Sequence, residues 1–279
     1  MLRTLRPLLS KLFRNLSPVH KERDRLVASV AARFAENPVL RVPDFLGDFQ
    51  IDPRSRLFVR LIVEGNYEPD LVRIVCKHLD PARDAIDVGA NIGFFSCLLA
   101  KSLPGRRVLS VEPTLGALTL LRANLIRNEI ETQVRIFEGV AADKRGVVSL
   151  AYVQGMEEFS SLGEITHPSA NVSCVKSIDV ASETIDNLVS QMGLEPGFIK
   201  VDTEGAEAMV FAGAQEVLRK FRPIVLSELS DPLLRAKGSS ALKVIQNLEA
   251  LDYVVTDPLS PTSRPGSRPY GDLLAIPRR

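Results

Sequence analysis

The stretch from Asp84 to Phe95, DAIDVGANIGFF, constrains what this chain can fold into more than any other. Ala85, Ile86 and Val88 form a short apolar run interrupted by Asp87, and the run breaks into Gly89-Ala90-Asn91-Ile92-Gly93. Beyond the break, Ile92, Phe95, Leu98 and Leu99 fall at helical spacing. A buried strand, a glycine turn and a helix, in that order, make the first half of a nucleotide-binding βαβ unit. The glycines let the backbone take dihedrals that other residues resist and let it approach a ligand closely.

The turn departs from the dinucleotide fingerprint G-x-G-x-x-G, whose third glycine marks close helix–strand packing around a pyrophosphate. This one reads D-x-G-x-N-x-G, with Asp87 as the acid. The next apolar run, Val108, Leu109 and Val111, ends on Glu112. That places a second acid roughly 20–25 residues past the first, where a carboxylate can accept from both hydroxyls of a ribose. An acid at the turn repels a pyrophosphate but suits a ligand carrying an ammonium and a sulfonium, so the paired acids point to S-adenosylmethionine. Two plainer readings stay open: a turn with no ligand, and Glu112 as a cap for the helix that begins after Pro113.

Composition narrows the partners. With 279 residues, 45% hydrophobic and 25% charged, the chain suits one large α/β domain or a domain with an appendage. A net charge of +1 supplies no global field for nucleic acid, and none is expected as a partner. Cys76, Cys97 and Cys174 have neither metal-ligand spacing nor disulfide density, which predicts a reducing, cytoplasmic setting and makes the Asn171-Val172-Ser173 sequon a chance match.

The first 21 residues differ from the rest, with Arg3, Arg6, Lys11, Arg14 and Lys21 and no acid. Leu2, Leu5, Leu8, Leu9, Leu12, Phe13 and Leu16 share one helical face there. The segment reads as a helix in weak membrane-surface contact through residues 1–20, as the start of an organelle presequence, or as a helix docked on the domain. Pro7 weakens every helical version. It lacks the apolar core of a secretory signal, and no later run is long enough to span a bilayer.

In chain order, a second helix is expected near 21–35, short strands across Phe45–Val63, and a helix near 70–79. From residue 84 strand and helix alternate as in a doubly wound sheet. Strands are expected near 84–88, 107–111 and 133–138, with helices at 91–102 and 114–128 between them. A strand pair near 146–153 and 172–178 brackets a polar loop with Glu157, Glu158, Ser160, Ser161 and Leu162. Helix 182–190, strand 198–202, helix 206–220, strand 223–228, helix 239–251 and strands 252–256 and 271–276 follow. Asp257–Arg268 reads as a Pro/Ser/Arg-rich loop.

These stretches resemble the FkbM-type S-adenosylmethionine-dependent methyltransferases. The resemblance is carried by DVGANIGFF at 87–95, VEPTLGALTLLRANLIRN at 111–128, FIKVDTEGAEAMVFAGA at 198–214 and RPIVLSEL at 222–229, with GNYEP at 65–69 ahead of them. Val201 and Thr203 stand where the family usually has isoleucine and valine. The similarity runs over about residues 60–256. It implies the class I methyltransferase (Rossmann-like) seven-stranded sheet, order 3-2-1-4-5-7-6, with strand seven antiparallel. It divides the chain into a small helical or irregular N-terminal extension, 1–60, and a methyltransferase domain, 61–279. It also implies transfer of a methyl group to oxygen, often a hydroxyl of a sugar, a glycan or a related small molecule.

Ligands of open α/β sheets sit beyond the carboxyl ends of the strands, where strand order reverses. Asp87, Glu112, Asp202 and Glu228 are expected to close their strands on that rim. Gly89 and Gly93, with Ala90 between them, would admit the methionine moiety, and Asn91 would bond its carboxylate or a backbone group. Glu112, beside Pro113, would hold the ribose. Val140 and Ala141, within Glu138–Ala142, would flank the adenine, and Glu68 would reach the amino group. A hydroxyl nucleophile needs a base or a Lewis acid. His20, His78 and His167 adjoin no strand-end motif, so the carboxylates carry that expectation. Asp202, assisted by Glu204 or Glu228, is the candidate general base. The alternative is that these oxygens hold Mg²⁺. Lys200 falls on the face of Asp202 and could simply neutralise it. Glu207 reads as a helix N-terminal acid. Arg264 and Arg268 would overhang an acceptor bearing phosphate or carboxylate, or else belong to a solvated loop. The rival functions are a methyltransferase of the same fold acting on nitrogen or on protein, and a cofactor-binding scaffold without turnover.

Overall fold

A computed structural model of the chain describes residues 37–153, 160–162, 175–263 and 265–278. The helices expected over 2–16 and 21–35, the sequon, Glu157, Glu158, Cys174, His20, His167 and Arg264 lie outside the described residues.

Five parallel strands form the centre of the molecule: β3 (Asp84–Val88), β4 (Val108–Glu112), β5 (Val134–Ala141), β9 (Pro196–Val201) and β10 (Ile224–Glu228). Their order is β5-β4-β3-β9-β10, extended by β12 (Asp272–Pro277) and β11 (Tyr253–Thr256). β12 runs antiparallel to both β10 and β11. Numbered along the fold, this is the expected 3-2-1-4-5-7-6 sheet. Three further strands lie beyond β5: β8 (Val175–Glu183), β6 (Gly146–Val153) and the two-residue β7 (Ser161–Leu162) make the sheet ten-stranded among the described residues.

Every residue of β3, β4 and β9 is buried, because helices cover both faces of a parallel sheet. Alternation along β3 assigns the faces. Ala85 packs with Phe95, Leu98 and Phe198 on one side, and Ile86 and Val88 pack with Ile199, Val210 and Val225 on the other. α3 (Phe94–Ser102) and α4 (Leu115–Arg127) follow β3 and β4.

The N-terminal region differs from its expected strands. Only a hairpin, β1 (Val39–Val42) with β2 (Gly47–Gln50), is extended; Arg56–Val63 is helix α1. Ser55 caps α1 by accepting the Phe58 N–H at 3.1 Å, and Leu57, Phe58, Leu61 and Ile62 recur at helical spacing on its buried face. α2 (Pro69–His78) follows. The hairpin and α1 share one hydrophobic core with α3 and α4: Phe45, Phe49, Phe58, Phe94 and Leu121 all belong to it.

Farther on, β8 runs to Glu183 and Thr184 caps α5 (Ile185–Met192), so that helix begins later than expected. The helix expected over 206–220 is two, α6 (Glu207–Ala212) and α7 (Gln215–Lys220). At the break Gly213 lies so close to Ala142 that a Cβ would stand 2.0 Å from its carbonyl oxygen. α8 (Asp231–Ala236), unforeseen because it opens on Asp231-Pro232, precedes α9 (Ala241–Ala250). No helix among the described residues is long and apolar enough to cross a membrane.

Candidate active site

The glycine turn after β3 is built from backbone that few residues can adopt. Gly89 and Gly93 have φ of +78° and +94°, and Asn91 takes the left-handed region at 49°. The N–H groups of Gly89 and Ala90 both donate to the Val111 carbonyl at 3.0 Å, which ties the turn to the end of β4. Glu112 completes the tie. Its Oε2 accepts the Asn91 N–H at 2.9 Å, and its Oε1 accepts the Thr114 N–H at 2.9 Å and the Thr114 hydroxyl at 2.6 Å. Charge-assisted bonds of this kind fix a carboxylate in place. Glu112 is only 5% exposed, yet lines a cavity of about 740 Å³ at the carboxyl ends of the strands.

Gly89, Ala90, Asn91, Pro113, Val140, Ala141 and Glu68 line the same cavity. Two residues expected with them do not. Asp87 is fully buried beneath the turn, where it accepts the Ser96 hydroxyl at 2.7 Å and pairs with Lys200 at 3.7 Å. It sits inside β3, one residue short of the strand's end, so its side chain points into the helix-covered face of the sheet and not over the rim. Gly93 caps α3 and abuts Leu121, where a Cβ would stand 2.6 Å from a methyl group. It shapes the turn from behind. Glu138 also turns away, pairing with Arg122.

The opposite wall is acidic. Asp202, Glu204 and Glu228 each offer a carboxylate oxygen within 4.8 Å of the others. Glu204 and Gly205 take positive φ, and Glu207 holds this tight segment from within. Its Oε1 accepts from the Thr203 N–H, the Thr203 hydroxyl and the Gly205 N–H at 2.9–3.1 Å. Glu207 therefore braces the rim and stays out of the cavity. Asp272, at the start of β12, stands directly opposite Glu228 in the antiparallel register and lines the cavity too. Sequence reasoning missed it; the signal was an acid opening an apolar run that pairs with the strand ending on Glu228.

Burial and mutual repulsion decide the protonation of this wall. Burial, then Asp202, Glu204, Glu207 and Asp272, pushes the Glu228 carboxyl well above the usual carboxylate range. Burial, then Glu68, Asp202 and Asp257, raises Asp272 to about 7. Glu68 is raised by burial and by Asp202. Lys200 offsets part of the charge, standing 3.3 Å from Asp202. Burial pulls its ammonium down, but Asp202, Asp87 and Glu68 together hold it above the ordinary lysine range.

α1 supplies another wall that the sequence did not predict, with Arg56, Leu57 and Arg60 lining the cavity beside Tyr67. Arg60 stacks 4.7 Å over the Tyr67 ring and pairs with Glu68 at 3.6 Å. Arg268 lines the mouth as expected, but its guanidinium donates to Asp257 at 2.6 Å. Asp257, only 3% exposed, anchors the loop by also accepting the Leu259 and Ser260 N–H groups. His78 is at the end of α2 and lines no part of the cavity.

A family model described as the methyltransferase FkbM domain matches residues 87–255. The AMB antimetabolite synthetase AmbE of Pseudomonas aeruginosa is 28% identical over 180 residues, which cover 53% of this chain and 8% of that protein. The 2-O-methyltransferase NoeI of Sinorhizobium fredii is 28% identical over 173 residues, 58% of this chain and 69% of that one. Among solved structures, the methyltransferase FkbM from Methylobacillus flagellatus aligns with a TM-score of 0.46 at 16% identity, covering 71% of this chain and 44% of the other.

Proposed function

This chain belongs to the methyltransferase FkbM family, and from that premise we propose that it transfers the methyl group of S-adenosylmethionine to a hydroxyl of a sugar, a glycan or a related small molecule. One observation carries the reading. The glycine turn and Glu112 share a single cavity with carboxylates that end neighbouring strands.

The turn and Glu112 fit the cofactor. The Glu112 carboxylate is buried, prearranged by three donors and open to the cavity, as a group that must accept from two ribose hydroxyls should be. Gly89, Ala90 and Asn91 would meet the methionine end, Pro113 would lie beside the ribose, and Val140 and Ala141 would flank the adenine. Glu68, on the opposite wall, would take the ammonium. The surplus of carboxylates favours a ligand with net positive charge. When bound, the cofactor supplies a methyl group activated on a sulfonium.

The chain's own task is to orient the acceptor and remove its proton. Asp202 lies at the junction of the two halves and would accept the hydroxyl proton. Glu228 and Glu204 would hold neighbouring hydroxyls, Glu228 as a donor while it keeps its own proton. The relative NoeI, a 2-O-methyltransferase, supports an oxygen acceptor.

An acceptor screen with isotope-labelled cofactor over sugar and lipid-linked glycan hydroxyls tests this. Label in an ether on a carbohydrate is the expected result; label only on amines or protein side chains would replace the proposal with the nitrogen- or protein-directed alternative. Asp202→Asn should lower turnover by roughly 10²–10⁴ with cofactor affinity retained, and a fully active variant would remove Asp202 as the base.

A second reading rests on the 4.8 Å cluster of Asp202, Glu204 and Glu228. An all-oxygen set of this kind suits a hard ion such as Mg²⁺, which would acidify the hydroxyl. Turnover abolished by chelator and restored by Mg²⁺ favours it; turnover indifferent to chelator returns the acids to proton transfer and hydrogen bonding.

A further inference from the structure

Lys200 occupies a position that neutralising one acid does not explain. Its side chain, only 8% exposed, reaches from β9 to the edge of the cavity, which it lines, and stands among four neighbours. Asp87 lies 3.7 Å away on β3 and Asp202 3.3 Å away on the rim. The Gly89 carbonyl accepts from Nζ at 3.4 Å, and the Phe95 ring centroid lies 4.9 Å from the ammonium. The cation thus touches the glycine turn, the acid beneath it, the first turn of α3 and the candidate base.

Backbone contacts reinforce the same junction. Asp202 N–H donates to the Val88 carbonyl at 3.0 Å. Gly89 packs so tightly on the Asp202 carbonyl that an added Cβ would stand 1.8 Å from the oxygen. These contacts fix the Asp202 peptide group against the turn, but the Asp202 carboxylate, which faces the cavity, and the segment that follows it are not held by them. Lys200 restrains that carboxylate at 3.3 Å, while Arg60 pairs with Glu68 and Arg268 with Asp257.

We propose that Lys200 is a positioning residue that couples the glycine turn to the Asp202 segment, so that ligand binding at the turn orders the acid that faces the acceptor. The inference rests on the cofactor reading given above. A buried ammonium shared by two carboxylates and a carbonyl has one arrangement satisfying all three, and a shift of the turn carries the cation and Asp202 with it. If Lys200 served only as the counter-ion of Asp87, removing both charges together would be harmless to the rim.

The charge-balanced variant Asp87→Asn/Lys200→Met separates the two roles. Hydrogen exchange is followed by mass spectrometry in peptides covering 86–93 and 201–206, with and without S-adenosylhomocysteine as the probe. In the wild type, the probe is expected to slow exchange in both peptides. In the double variant it should still slow the turn peptide, while the protection of 201–206 is lost. Equal protection of both peptides in the double variant would overturn the proposal. So would protection confined to the turn in the wild type, which leaves the cofactor reading intact. No effect on the turn in the wild type would overturn the cofactor reading itself, and this inference with it. Asp87→Asn/Lys200→Gln, whose amides can bond each other, is the second version. Failure of both variants to fold cooperatively would make Lys200 architectural and end the proposal.

Discussion

Gly89 shows how tightly single residues are specified here. Its φ of +78° penalises any side chain, and its neighbour is the Asp202 carbonyl, which cannot rotate away as a side chain would. Gly89→Ala should lower stability by at least the roughly 1–3 kcal/mol of a strained backbone, read as an earlier urea midpoint, and weaken binding of S-adenosylhomocysteine. A wild-type midpoint would show that the turn is looser than its geometry implies. Asp272 makes a prediction of the opposite sign. Burial and the neighbouring acids push its carboxyl up to about 7 in the folded state, from the 3.8 of a free aspartate. Such an acid favours folding while it keeps its proton, and that contribution is lost as pH rises from about 4 through about 7. Asp272→Asn should therefore raise Tm relative to wild type at pH 8 and leave the two alike near pH 4. A constant difference across that range would show that Asp272 is not held protonated by the fold.

At the scale of elements, β2 is bound to α4 by side chains that imitate a neighbouring strand. Asn124 Oδ1 accepts the Gln50 N–H at 2.7 Å, and its amide donates to the Gln50 and Ile92 carbonyls at 3.1 and 2.9 Å. One turn later, Asn128 repeats the exchange with Asp48. Asn124 thus links the hairpin to the glycine turn through Ile92. Asn124→Ala removes the partner of three backbone groups, the Ile92 carbonyl buried and the two of Gln50 half-buried, so it should cost about 2–4 kcal/mol, measured by chemical denaturation; a loss under 1 kcal/mol would mean water replaces the amide fully. The sequence made the sheet readable because β3, β4, β9 and β10 are apolar runs closed by Gly or an acid, and their order follows from resemblance. It hid α1 because Pro53 and a short apolar segment suggest a turn between strands, while the helical spacing of Leu57, Phe58, Leu61 and Ile62 competes with that reading. It showed β2 as a strand but hid β1 and the pairing of the two, since the hairpin is held by two asparagines 74 and 80 residues away. Asp87 was misplaced for a related reason: it is spaced correctly along the chain, but its face is decided by strand alternation, which turns it towards Ser96 and Lys200.

The molecule as a whole sets two walls against each other across one cavity. The turn and Glu112 come from β3 and β4, and the acids come from β9, β10 and β12, so the strand-order reversal between β4-β3 and β9-β10 creates the junction. Glu112 was legible as a strand-closing acid at the right separation. Asp272 and Arg60 were not, because their place depends on an antiparallel final strand and a helix that wrap back over the site. Whether the cavity holds S-adenosylmethionine through Glu112 is measured most directly by calorimetry. Wild-type protein should release or take up heat with S-adenosylmethionine and with S-adenosylhomocysteine. Glu112→Ala should weaken both by about 1–3 kcal/mol, the cost of removing a charged hydrogen-bond acceptor. No binding of either ligand to the wild type, or equal binding to wild type and variant, would contradict the account.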